Sequence, residues 1–79
     1  MKQKKKSAWH PFTEEPTEEG KYLVQRFRKT WGGRIIITFE VADSLEDLKD
    51  LTYFDMRYGN RDNHYQAWQK IEPYEEAEE

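Results

Sequence analysis

Apolar and polar residues alternate most regularly between Arg34 and Ala42. There Ile35, Ile37, Phe39 and Val41 share one side of an extended chain, and Arg34, Ile36, Thr38 and Glu40 share the other. A period of two in β-branched residues predicts a strand, and its wholly apolar face is expected to be core. Lys21 to Lys29 reads the same way, with Tyr22 and Val24 opposed to Leu23 and Phe27. Between these runs lies Thr30-Trp31-Gly32-Gly33. Tight hairpin turns need positive φ, which glycine adopts freely, so the two strands are expected to form a hairpin. Upstream, Pro16-Thr17-Glu18-Glu19-Gly20 predicts a turn.

The period changes after Ala42. Leu45, Leu48 and Leu51 recur at three-residue spacing, and Asp43-Ser44-Leu45-Glu46 resembles a capping box, with an acceptor side chain three residues before a glutamate. These features predict a short helix over residues 44–51, which needs to dock its leucines because so short a helix does not hold alone. Thr52 to Tyr58, rich in aromatics, reads as a third strand, Gly59 to Asn63 as a turn and His64 to Glu72 as a fourth strand ended by Pro73. Ala8-Trp9-His10-Pro11-Phe12 and Ala67-Trp68-Gln69-Lys70-Ile71 share an Ala-Trp-x-x-apolar pattern. They are expected to lie side by side with Trp9 and Trp68 both buried.

The fold expected from these elements is α+β and predominantly β: a small antiparallel sheet of four to five strands with one short helix. Residues 8–73 form a single small domain in this reading. The basic residues 1–7 and the acidic residues 74–79 are expected to be disordered, because neither has apolar area to offset ordering. Composition adds one constraint. The chain has only ten valines, isoleucines and leucines but twelve aromatic residues, and each buried aromatic removes roughly 150–250 Å² from water. The rings are therefore expected to fill the interior.

The net charge of −3 is segregated. Lys2, Lys4, Lys5 and Lys6 precede Glu14, Glu15, Glu18 and Glu19; Lys21, Arg26, Arg28, Lys29 and Arg34 belong to the hairpin region; and acidic residues outnumber basic ones over 40–50 and in the tail. The alternation fits neighbouring segments that attract one another; the sharper alternative is a basic hairpin facing an anionic partner. Net acidity disfavours nonspecific nucleic-acid binding. There are no cysteines, which excludes a disulfide framework and a cysteine nucleophile. No apolar run approaches the ~20 residues of a membrane span. Lys2 to Lys6 is followed by Trp9-His10-Pro11 rather than an apolar stretch, so the chain is expected to be cytoplasmic, with no membrane partner.

Trp9-x-x-Phe12-x-x-Glu15-Pro16, Glu19-Gly20-Lys21-Tyr22-Leu23-Val24 and Ala67-Trp68-x-x-Ile71-x-Pro73 together resemble a family of small bacterial and phage-associated domains of unknown function. Those domains open on W-x-x-V…LP-x-x-G-x-YLV and close on HW-x-P-LP. The matches sit at the two ends of residues 9–73. Glu15 stands where the family has leucine, and Lys70 and Glu72 depart from the pattern around the closing prolines. The resemblance implies a compact, mostly β domain carried by phage or integrated elements, and it implies no activity, cofactor or catalytic residue.

The residues themselves point away from catalysis. His10 and His64 lack the i, i+3 or i+4 partners of zinc sites. Asp55, Asp62 and His64 could converge only if the third and fourth strands paired. Ser7 and Ser44 lie in a tail and at a helix start, outside any nucleophile motif, and Glu14-Glu15 and Glu18-Glu19 are expected in a charged, wet loop rather than the apolar setting that general-acid work requires. No enzyme, metal or cofactor is expected. Binding is, by an unidentified protein partner in preference to nucleic acid. The candidate contact residues are Arg26, Arg28, Lys29, Trp31 and Arg34, a basic patch beside an aromatic at the hairpin tip.

Overall fold

The computed structural model describes residues 8–72. Its elements are β1 (His10–Pro11), β2 (Tyr22–Lys29), β3 (Ile35–Ala42), α1 (Leu45–Tyr58) and β4 (Asn63–Lys70). The strands form one antiparallel sheet in the order β1-β4-β2-β3. β2 and β3 pair as a hairpin from Tyr22 opposite Ala42 to Lys29 opposite Ile35. At its tip Gly33, at φ 89°, donates its N–H to the Thr30 carbonyl at 2.9 Å. α1 then carries the chain across one face of the sheet, so that β4 enters between β2 and β1. The expected adjacency of the two Ala-Trp segments holds, with His10 opposite Trp68 and Pro11 opposite Ala67.

The helix is longer than its leucine spacing implied. It runs on through Tyr58, and the strand expected over Thr52–Tyr58 is its second half. Aromatic content misled here, because β-propensity is weak against tertiary context. Inside the helix these residues meet at i, i+4: Phe54 packs edge-on to Tyr58 at 4.9 Å between ring centres, and the Arg57 guanidinium donates to the Tyr53 hydroxyl at 3.3 Å. The N-cap is Ser44, whose hydroxyl accepts the Asp47 N–H at 3.1 Å, one residue later than the Asp43–Glu46 box places it. Gly59 ends the helix by donating to the Asp55 carbonyl at 2.7 Å; a Cβ there would sit 2.5 Å from that oxygen.

The core is small. Tyr22, Val24, Ala42, Leu48 and Trp68 are buried, with Phe12, Leu45, Leu51 and Tyr65 packed against them. Tyr22 meets Trp68 edge-on, and its hydroxyl donates to the Glu18 carbonyl. The Trp68 indole N–H donates to the Glu14 carbonyl at 3.0 Å, and His10 stacks on the same ring at 4.3 Å, fastening the 10–16 segment to β4. All five core residues lie on the helix side of the sheet or on α1.

Candidate docking surface

Strand alternation divides the sheet residues between two faces. Tyr22, Val24, Arg26 and Arg28 of β2, with Ile36, Thr38, Glu40 and Ala42 of β3, belong to the face that α1 partly covers. Leu23, Gln25, Phe27 and Lys29, with Ile35, Ile37, Phe39 and Val41, belong to the other. No described element packs over that second face. Ile35 is 58% exposed, Ile37 41%, Phe39 55% and Val41 57%. The face expected to be core is therefore the uncovered one. The β3 pattern correctly marks a strand with one apolar side, but alternation says nothing about which side meets the helix.

The open face is nearly free of charge. The Trp9 ring reaches Phe39, 6.1 Å away between centres, so the expectation of two buried indoles fails for Trp9, which lies half-buried against this surface while Trp68 is in the core. Phe27 contacts His64 at 5.1 Å, and the His64 Nδ1–H donates to the Asn60 carbonyl at 2.9 Å. A bulge in β4 sets Gln66 and Ala67 against Gln25, and the Gln25 amide donates to the Gln66 side chain at 2.7 Å. Lys29, at the rim, is the one residue of β2 or β3 on this face with a formal charge.

The residues singled out at the hairpin separate into two groups. Trp31 is fully exposed, and Arg28, Lys29 and Arg34 beside it are exposed too. Arg26 stands apart. Its Nε donates to Asn63 Oδ1 at 3.0 Å, one terminal nitrogen lies 3.5 Å from Glu40 Oε2, and its guanidinium sits 5.7 Å from the centre of the Tyr65 ring. The Tyr65 hydroxyl donates to Glu40 Oε1 at 3.0 Å. Burial, followed by that hydrogen bond, raises the Tyr65 pKa above the ordinary phenol value of 10.0. Arg26 thus serves to hold this side of the sheet.

A groove of about 990 Å³ runs between the 11–16 segment and α1, bordered by Phe12, Tyr53, Met56 and Tyr65. Some of the polar groups at and around it are engaged within the fold: the Tyr65 N–H donates to Asp55 Oδ1 at 2.9 Å, and Glu14 is 3.0 Å from His10. Asp55 accordingly belongs to helix docking. Among the described residues, no three His, Asp or Glu side chains are placed to hold a metal ion, and no helix is long and apolar enough to cross a membrane. No family model, curated protein or solved structure matches the chain.

Pattern reading missed the open face as a surface. The available signal was supply: one predicted helix cannot cover both faces of a sheet that carries apolar residues on both.

Proposed function

We propose that this chain is a small protein-binding accessory module that docks its partner on the open sheet face. The observation that carries the reading is the row of exposed Ile35, Ile37, Phe39 and Val41 on one face, where Lys29 at the rim is the one charged residue of β2 or β3. The largest exposed apolar patch on a typical monomer is about 300–600 Å² and is often functional. An accessory role in phage or integrated-element biology accords with the resemblance of the chain's two ends to phage-associated domains.

The reading predicts that the double variant Ile37→Ser/Phe39→Ser keeps the wild-type circular dichroism spectrum but loses protein capture from a host extract, measured by cross-linking and mass spectrometry. Equal capture by the variant and the wild type would show that this face is not the contact site.

Trp31 supports a second reading, nucleic-acid binding at the hairpin tip. A fully exposed indole beside Arg28, Lys29 and Arg34 offers a base-stacking surface next to cations. On this reading labelled single-stranded DNA is expected to bind at low salt, and Trp31→Ala is expected to weaken it by about 1–3 kcal/mol, the range found for base–aromatic stacking. Absence of binding at low salt removes this reading.

A further inference from the structure

The two edges of the sheet are built differently. β1 is two residues long and includes a proline, both common ways to blunt an edge. β3 has eight residues, an unbroken register with β2, no proline, glycine or lysine, and one charge, Glu40. Among the described residues β3 pairs only with β2. A long, regular, apolar edge without protective devices is a template for another strand.

The hydrogen-bond parity of that edge follows from the hairpin. The Thr30 N–H donates to the Arg34 carbonyl at 2.8 Å, so Arg34 turns its backbone groups toward β2. By alternation Ile36, Thr38, Glu40 and Ala42 do the same, while Ile35, Ile37, Phe39 and Val41 direct theirs to the free side. The residues with outward backbone groups are thus the ones that line the open face.

We infer that β3 pairs antiparallel with β3 of a second copy, about a two-fold axis beside Thr38, to make a continuous eight-stranded sheet. The inference goes beyond the docking reading, because it uses the backbone edge of β3 and leaves the open face itself available to a partner. In this register Ile37 faces Phe39 of the second copy and Ile35 faces Val41, and all four are positions with outward backbone groups. Every outward N–H and C=O of β3 between Ile35 and Val41 therefore finds a partner, and the facing side chains on the open face are apolar pairs. On the other face Thr38 meets its own copy and Glu40 meets Ile36. Arg34 of the second copy then lies diagonal to Glu40, within reach of long side chains and of opposite charge. The strand is complementary to itself in hydrogen bonding, apolar pairing and charge, as a two-fold interface requires.

The chain has no cysteine, which permits a direct geometric test. Thr38 forms a non-hydrogen-bonded pair across the axis, with Cα atoms about 4.5 Å apart, inside the disulfide range of about 4.4–6.8 Å. Two copies of Ile36 are four residues out of register, about 13 Å apart at strand rise. Light scattering on the purified protein is expected to give twice the 9.6 kDa chain mass as concentration rises. Under mild oxidation Thr38→Cys forms a covalent dimer and Ile36→Cys does not, while Ile37→Lys is folded and monomeric. A wild-type monomer at every concentration overturns the inference but leaves partner capture by the open face to be judged on its own. A dimer in which Thr38→Cys fails to cross-link, or Ile36→Cys cross-links equally, overturns the edge pairing.

Discussion

Tyr65 keeps its proton more firmly than a free phenol because partial burial, and then the bond to Glu40, disfavour the phenolate. In the unfolded chain the same hydroxyl ionises near the ordinary 10.0. The group therefore contributes stability that is complete below about pH 10 and is lost as pH rises through the higher folded value. Glu40→Gln removes the carboxylate but leaves Arg26 beside the ring, so the Tyr65 pKa should fall toward its ordinary value. Carbon-labelled tyrosine NMR across an alkaline titration reads this directly; an unchanged Tyr65 midpoint would mean that Glu40 does not set it. Arg26, chosen from the sequence for its charge, proves to be the cation of this cluster. Its partners Glu40, Asn63 and Tyr65 come from two other strands, so no local pattern could have announced them.

Among the elements, α1 shows how local and distant effects divide. Ser44 and the leucine spacing declared where the helix begins, and the capping hydroxyl does accept a first-turn N–H. Where it ends was hidden, since Thr52 to Tyr58 is as good a strand as a helix by composition. The deciding contact is Asp55, which sits on the inward stripe with Leu48 and Leu51 because its carboxylate accepts the Tyr65 N–H of β4. Leu48 is fully buried under the sheet, whereas Met56 is 77% exposed. Leu48→Ala should cost about 2–5 kcal/mol in urea unfolding, and Met56→Ala about 0.5 kcal/mol or less. Equal costs would mean that α1 docks by a different face. The strands were more legible: the hairpin, its Gly33 turn and the β4 segment all lie close to where alternation and punctuation placed them.

At the scale of the molecule, the expectation that the rings form the interior holds for Tyr22 and Trp68 and fails for Trp31, Phe39, Tyr53, Phe54 and Tyr58, which are exposed. A single fourteen-residue helix covers one face of a four-stranded sheet and no more. The apolar residues beyond that capacity gather on the open face, on the outer side of α1 and at the hairpin tip. The alternating pattern by itself determined that β2 and β3 would be strands, that they would turn at the glycines, and that β3 would have one apolar side, because a period of two is a local property of the extended backbone. Only the tertiary structure decided that no described element would cover this side. That depends on which face α1 crosses to deliver β4 beside β2, and the helix follows the face where Tyr22, Val24 and Trp68 can enclose Leu48.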